Sequence, residues 1–198
     1  MCTTPRNNSP RRAVIAVKSV IGVVFLHICI QRPSEWPKGV CPVDSFRAPF
    51  SALEYNRRVD LTRAAMDKQG LDVLIVTDPS NIAWLTGYDG WSFYTHQAVI
   101  LSHEGAPLWW GRAMDANGAM RTVWMKPEDI VGYPDFFVQS TEYHPMEHLA
   151  GELAERGIDT GRVGVEMENY YYSAKAHAVF CGQLTNCLLY TSDAADEA

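Results

Sequence analysis

A short apolar run, LDVLIVT at residues 71–77, constrains the fold of this chain more than any other feature of its sequence. It is rich in branched aliphatic residues, follows Gly70 and is soon followed by Pro79, which predicts a buried strand. Before it, a capping box of Ser51 and Glu54 opens a segment with apolar residues at helical spacing that ends at Gly70. A helix leading directly into a buried strand indicates an α/β fold.

Further segments of both kinds follow along the chain. Residues 97–101 and 107–111 are apolar runs joined by a glycine-containing loop, which predicts an antiparallel hairpin. Ser80 is predicted to cap a brief helix that Gly87 closes. The remaining predicted elements are helices at 114–123 and 145–155, strands at 130–133 and 162–166, and a last helix capped by Ser173 that runs to about Phe180. Their near alternation predicts a three-layer domain with a mixed β-sheet flanked by helices.

The N-terminal segment, residues 1–44, differs from this pattern. It contains an apolar stretch at residues 14–30, but Lys18 and His27 lie within that stretch, which disfavours a membrane span. We expect an unstructured or non-native extension that arises from translated upstream sequence. A weak membrane anchor and a cleaved signal are the alternatives.

The C-terminal segment, residues 188–198, resembles the translation of an adapter used in sequencing libraries, and a polar tail is the alternative. The predicted domain therefore spans residues 45–187. We expect neither end to pack on it. Deletion of residues 1–44 and 188–197 is expected to change the free energy of unfolding by less than roughly 1 kcal/mol.

The net charge and the distribution of cysteines limit the possible binding partners of the protein and the cellular compartment in which it is expected. The formal net charge is −6, and no concentrated lysine and arginine face accompanies it, which disfavours nucleic-acid binding. Three of the five cysteines precede residue 45 and the other two follow residue 180. This distribution fits a reducing cytosol better than a secreted disulfide framework.

Several long runs carry a resemblance to a known family. They are VTDPSN at 76–81, WLTGYDGWSFY at 84–94, GR at 111–112, MDANGA at 114–119, VGYPD at 131–135, VQSTE at 138–142 and GVEMENYY at 164–171. From residue 50 to about residue 186 the chain resembles the N-terminal domain of the creatinase, prolidase and aminopeptidase P superfamily, in its ectoine hydrolase branch. The resemblance implies the RNase H-like fold of that domain, followed by a pita-bread catalytic domain.

The same resemblance implies a function for the parent protein. In this superfamily, two Asp, one His and two Glu of the C-terminal domain hold a metal pair and a bridging water. We therefore expect no cofactor in this chain, which alone should be inactive, and a divalent metal in the C-terminal domain. The parent enzyme is expected to open the cyclic amidine of ectoine to N-acetyl-diaminobutyrate. An Xaa-Pro dipeptidase and a stand-alone non-catalytic binding module are the alternatives.

The expected role of the chain is substrate positioning and dimerisation in a cytoplasmic homodimer. Its expected partners are its own C-terminal domain, a second copy and a small-molecule substrate, without nucleic acid or membrane. The candidate site is the loop at residues 88–96, where four aromatic residues occur among seven without helical or strand alternation. Ectoine carries a delocalised amidinium, which an aromatic face attracts. Substrate binding in the partner's active site is predicted for Tyr88, Trp91, Phe93, Tyr94 and His96, and no catalytic or metal-binding residue is assigned.

The plain alternative for each of these rings is packing on the domain's own core.

The other candidate patterns in the sequence do not indicate a functional site. His144 and His148 flank Glu147, but their order departs from H-E-x-x-H, so a solvated helix face is expected instead of a zinc pair. Glu166 and Glu168 lack the wider acidic set of a nuclease. The series Asp115, Asn117 and Gly118 lacks the closing Glu of a calcium loop and is predicted to be helical. Cys181 and Cys187 have no flanking cluster that would lower a thiol pKa, so they are expected to be buried or incidental.

Overall fold

The computed structural model describes residues 15–17, 48–90, 92, 94–184 and 187–188 of the 198-residue chain. Short 3₁₀ turns lie at Pro127–Asp129 and Asp135–Phe137. The helices and strands in chain order are β1 (Ile15–Val17), α1 (Ala52–Gln69), β2 (Val73–Val76), α2 (Pro79–Thr86), β3 (Ala98–Ser102), β4 (Leu108–Arg112), α3 (Ala113–Thr122), β5 (Ile130–Tyr133), α4 (Pro145–Glu155), β6 (Gly161–Glu166), α5 (Ala174–Gln183) and β7 (Cys187–Leu188).

The strands form one mixed sheet with the order β1-β6-β2-β3-β4-β5, and β7 also pairs with β6. Strand β3 runs antiparallel to β2 and β4, and the other pairs are parallel. The predicted hairpin and mixed sheet are therefore confirmed. Because of these directions, the carboxyl ends of β2, β4, β5 and β6 meet the start of β3 at one edge of the sheet. We call this edge the site edge.

Successive strand residues divide the core between the two faces of the sheet. Trp109 and Trp110 of β4 are both fully buried, but they belong to different hydrophobic clusters. One cluster packs the sheet against α4 and α5, and the other packs it against α1, α2 and α3. A strand that is buried on both faces appears in the sequence as an uninterrupted apolar run, as β2 does. The three predicted layers are thus present.

Local capping sets the ends of the first two helices. Ser51 caps α1 by accepting a hydrogen bond from the Glu54 N–H, and Gly70 ends the helix in a left-handed conformation with φ of 62°. The prediction that Ser80 caps α2 is wrong. Asp78 is the cap, because its carboxylate accepts from the Ser80 N–H at 2.8 Å and Pro79 takes the first helical position.

Two short strands lie beyond the predicted elements. Strand β1 pairs with the Gly164 to Glu166 end of β6, and β7 pairs with its Gly161 end. The expectation that neither end packs on the domain is wrong for β1 and for Leu188, whereas Cys187 of β7 lies inside the predicted domain. A short strand can pair with the outermost strand of a sheet through backbone N–H and C=O groups alone, and hydrophobic periodicity in the sequence does not reveal such pairing. Whether the ends add stability stays a prediction. Among the described helices, none has the length and apolar character needed to cross a bilayer.

Candidate functional site

A cleft of about 200 Å³ opens at the site edge, between the loop that precedes β3 and the first turns of α4 and α5. This volume is smaller than the roughly 300–1,000 Å³ that drug-sized ligands occupy, so the cleft suits a small metabolite or one end of a larger ligand. Its lining includes Tyr94, His96, Tyr133, Tyr143, His144 and Lys175.

His96 is held in the cleft by its backbone and by its ring. The Tyr133 hydroxyl donates a hydrogen bond to the His96 carbonyl at 2.9 Å. The His96 and His144 rings lie 5.0 Å apart. Burial, followed by the nearby charge of His144, lowers the pKa of His96 to about 4, against a weaker opposing hydrogen bond with the Tyr171 backbone. The imidazole of His96 is therefore neutral at pH 7.

His144 is the N-cap of α4. Its Nδ1 accepts a hydrogen bond from the Met146 N–H at 3.2 Å, which places the proton of the neutral ring on Nε2. Burial lowers the pKa of His144, and the positive charge of Lys175 lowers it further, more than Glu147 raises it. His144 is 9% exposed, so the expectation of a solvated helix face is wrong for this residue. A capping role explains its burial.

His148 is one helical turn away and does not join His144. Its Nδ1 accepts a hydrogen bond from the Trp110 indole N–H at 3.2 Å. The two imidazoles therefore have separate partners, one on the backbone of α4 and one on the sheet. This arrangement agrees with the rejection of a zinc pair at these positions.

Aromatic rings form the rim of the cleft. Phe136 and Phe137 are stacked with their centroids 4.4 Å apart, and Tyr143 meets both edge-on. Tyr94 is 66% exposed and Tyr143 is 48% exposed. Burial raises the pKa of Tyr133 to about 12, so this residue remains a neutral phenol.

An ion pair and a strained residue shape the segment between β5 and α4. Arg112, at the end of β4, donates two hydrogen bonds to the Asp135 carboxylate, at 2.7 and 3.1 Å. Further along, Gln139 lines the cleft with φ of 53°, a left-handed conformation that non-glycine residues rarely adopt. Such backbone strain concentrates at binding sites. It supports a functional role for the cleft.

A separate polar cluster at the site edge joins β6 to the start of α2. The Glu166 carboxylate accepts hydrogen bonds from the backbone N–H groups of Thr77 at 3.1 Å and Asp78 at 2.9 Å, and from the side chain of Asn81. Burial raises the pKa of Glu166. Glu168 is exposed, so the structure does not bring the two acids together as a catalytic pair. Glu166 has a structural role.

Comparison with known proteins identifies the family of this domain. The family model of the creatinase/prolidase N-terminal domain matches residues 58–187. The chain belongs to this family. Ectoine hydrolase of Halomonas elongata is 55% identical over 137 residues, which are 69% of this chain and 34% of that protein. The uncharacterized hydrolase/peptidase y4tM of Sinorhizobium fredii is 42% identical over 138 residues, which are 69% of this chain and 35% of that protein.

This creatinase N-terminal domain thus spans about a third of the length of the curated relatives it matches. Solved structures confirm its fold. The N-terminal domain of an Xaa-Pro dipeptidase from Lactobacillus brevis superposes with a TM-score of 0.54 at 15% identity, covering 69% of this chain and 92% of that one. A proline dipeptidase from Streptococcus pneumoniae gives 0.51 at 21% identity, covering 68% and 87%.

The creatinase N-terminal domain brings only part of the predicted site together. Tyr94 and His96 line the cleft, whereas Trp91 and Phe93 lie outside the described residues. Tyr88 is buried on the other face of the sheet, with its ring centroid 4.9 Å from that of Trp109. For Tyr88, packing on the core is the correct reading, because it is 4% exposed and belongs to the hydrophobic cluster that contains Trp109.

Most of the residues that line the cleft of this creatinase N-terminal domain were not predicted as site residues from the sequence. Tyr133, Tyr143 and Lys175 come from three separate segments, and no spacing in the sequence relates them. In the sequence, His144 was considered only as a possible zinc ligand together with His148, and that possibility was rejected. One available signal was the placement of Lys175 in the first turn of a predicted helix, where a positive charge is unfavourable.

Metal and thiol chemistry find little support in this creatinase N-terminal domain. The described ranges contain no group of three or more His, Cys, Asp or Glu side chains that could hold a metal ion. Cys181 is half-buried beside His177, with its sulfur 3.5 Å from Nε2, and burial raises the pKa of its thiol. A thiol with a raised pKa is a poor nucleophile. Asp115 and Asn117 lie within α3, which agrees with a helical reading of that segment.

Proposed function

We propose that this chain is the N-terminal substrate-positioning and dimerisation domain of a metal-dependent hydrolase of carbon–nitrogen bonds that resembles ectoine hydrolase. The observation that carries the proposal is the 55% identity to ectoine hydrolase over 137 residues. The Xaa-Pro peptidases of similar fold are at most 21% identical among the structures compared above, so they support the fold and not a dipeptide substrate.

The cleft supports a binding role. A cyclic amidinium is a flat, delocalised cation, and an exposed aromatic face attracts such a cation by roughly 0.5–2 kcal/mol, depending on desolvation. Tyr94 and Tyr143 offer such faces at the rim. His96 and His144, whose pKa values are both lowered, add no positive charge that would repel the cation at pH 7.

The hydrolytic chemistry is proposed to belong to the remainder of the protein. The described residues hold no cluster that fits a metal pair, so this domain contributes binding and orientation. A divalent metal in the C-terminal part would supply the activated water. We propose that the enzyme is a cytoplasmic homodimer in which the rim residues face the active site of the second subunit. The exposed aromatic rings of Phe136, Tyr94 and Tyr143 suit such an interface.

The test is an assay of the complete enzyme, encoded by this segment with its natural continuation. We expect it to convert ectoine to the ring-opened N-acetyl-diaminobutyrate, detected by chromatography, and to leave Xaa-Pro dipeptides intact. Tyr94→Ala, Trp91→Ala and Phe93→Ala are each expected to lower kcat/KM for ectoine without changing metal content or unfolding temperature. Tyr170→Ala is the control, because this tyrosine is fully exposed and does not line the cleft.

Two results would refute the proposal. Cleavage of Xaa-Pro dipeptides without ectoine hydrolysis would assign the enzyme to the dipeptidase alternative. Wild-type kcat/KM in all three loop variants would show that the loop only packs on the domain.

A further inference from the structure

We propose that Lys175, His144 and Ser140 form a carboxylate-binding subsite in the cleft, so that the domain holds a small zwitterion by both of its charges. The carboxylate would bind to these three donors, and the cationic part would lie against the aromatic rim. The inference names the substrate class for the proposed function and rests on it.

The first observation is the charge of the cleft. Its lining contains tyrosines, two histidines, a threonine, a glutamine, a serine and apolar residues, but no aspartate or glutamate. Lys175 is the one side chain in this lining with a formal charge at pH 7. An acid-free cleft with one ammonium group favours an anionic ligand group over a cationic one.

The second observation is the position of Lys175. It lies in the first turn of α5, where the helix dipole disfavours a positive charge, and that turn contains no acidic residue. Within the described part of the chain, Lys175 makes no ion pair with an acid. Lys175 is exposed, so the cost of this placement is small, and its ammonium is available to an anion bound in the cleft.

The third observation is a set of hydrogen-bond donors on residues that line the same cleft. His144 accepts through Nδ1 from the Met146 backbone, so its Nε2–H is a donor on a ring that is only 9% exposed. Ser140 Oγ accepts from the backbone N–H groups of Glu142 at 3.2 Å and Tyr143 at 3.1 Å, which leaves its hydroxyl proton to donate. Both residues line the cleft beside Lys175. Carboxylate oxygens accept such bonds readily.

The size and rim of the cleft favour an organic carboxylate over an inorganic anion. At about 200 Å³ it has space beyond a single carboxylate group. Tyr94 and Tyr143 would cover the rest of the ligand with aromatic surface. An amino-acid-derived zwitterion such as ectoine, with its carboxylate on a cyclic amidinium, matches both the donors and the rings.

The test is ligand binding by this chain, followed through the histidine ring signals in NMR spectra. The probes are ectoine, the same cyclic amidine without its carboxylate, L-proline and inorganic phosphate. Lys175→Met is expected to weaken ectoine binding about 10- to 100-fold, the effect of losing a charged hydrogen bond. Lys175→Arg should restore most of the affinity. Lys126→Met, at an exposed lysine outside the cleft, is the matched control.

The carboxylate-free amidine should bind wild type weakly and should not lose affinity in Lys175→Met, because that change removes a repelling positive charge. Equal ectoine affinity in wild type and Lys175→Met would overturn the subsite, as would a folded chain that binds none of the probes. Phosphate binding as tight as ectoine binding would show a general anion site and overturn the assignment to a carboxylate.

The subsite and the proposed function can fail separately. If L-proline binds in a Lys175-dependent way and ectoine does not, the subsite stands and the proposed substrate is wrong. If the complete enzyme carrying Lys175→Met hydrolyses ectoine with an unchanged KM, the subsite is wrong and the proposed function stands.

Discussion

The neutral imidazole of His96 is expected to make the stability of this domain depend on pH. Its pKa is about 4 in the folded protein, compared with an ordinary value of 6.5. Between these two values the unfolded chain binds a proton at this position and the folded chain does not. The contribution of His96 to stability is therefore fully present above pH 6.5 and is lost progressively as the pH falls towards 4.

The size of the loss follows from the two pKa values. One pKa unit corresponds to 1.36 kcal/mol, so the limiting loss at pH 4 and below is about 3 kcal/mol. At pH 5 the expected loss is about 2 kcal/mol. His96→Gln removes this proton linkage. The free energy of unfolding of the variant should therefore fall less steeply with acidification than that of the wild type, by about 2 kcal/mol between pH 7.5 and pH 5.

The assay is urea denaturation at several pH values, with the difference between variant and wild type taken at each pH. That difference cancels other titrating groups, including Glu166, whose raised pKa acts in the opposite direction. His103→Gln, on the β3–β4 turn outside the cleft, controls for the loss of a histidine as such. If His96→Gln and wild type differ by the same amount at pH 7.5 and pH 5, His96 is protonated in the folded state and the description of the cleft is wrong.

Three further outcomes are expected. Gly132→Ala should cost about 1–3 kcal/mol, because the added methyl would lie 2.7 Å from the Ala113 Cα. Gly151→Ala, within α4 with nothing inside 4 Å, should stabilise by about 0.5–1 kcal/mol, and equal effects of the two on thermal unfolding would contradict the packing of α3 on β5. Glu166→Ala should cost about 2 kcal/mol by leaving one buried and two partly buried donors without their acceptor, whereas the same change at exposed Glu168 should be near neutral by denaturation. Calorimetry with manganese, cobalt or zinc should find no stoichiometric site of micromolar affinity, and such a site would place metal ligands in this chain.

The sequence alone determined most of the regular elements, because their signals are local. The strand Ile130–Tyr133 and the helix Pro145–Glu155 have the predicted bounds. Periodicity reports which face of an element is buried, and caps such as Ser51 and Gly70 act within a few residues of the ends they set. The motifs also indicated the family, because a family resemblance depends on residues in sequence order.

Local signals were insufficient where two residues competed for one role. Ser80 and Asp78 both suit a helix cap, and the difference is decided by Pro79 taking the first helical position. Tyr88 and Tyr94 belong to one aromatic run, yet one is 4% exposed and the other 66%. A run of rings without periodicity does not indicate which ring is directed inward.

The cleft itself was decided only by the tertiary structure. His96 precedes β3, His144 caps α4 and Lys175 opens α5, so these residues are distant in the chain and become neighbours at one edge of the sheet. The direction and order of the strands bring them together, and long-range backbone pairing sets both. The lowered pKa of His96 arises in the same way, because burial and the neighbouring His144 exist only after the sheet and α4 have packed.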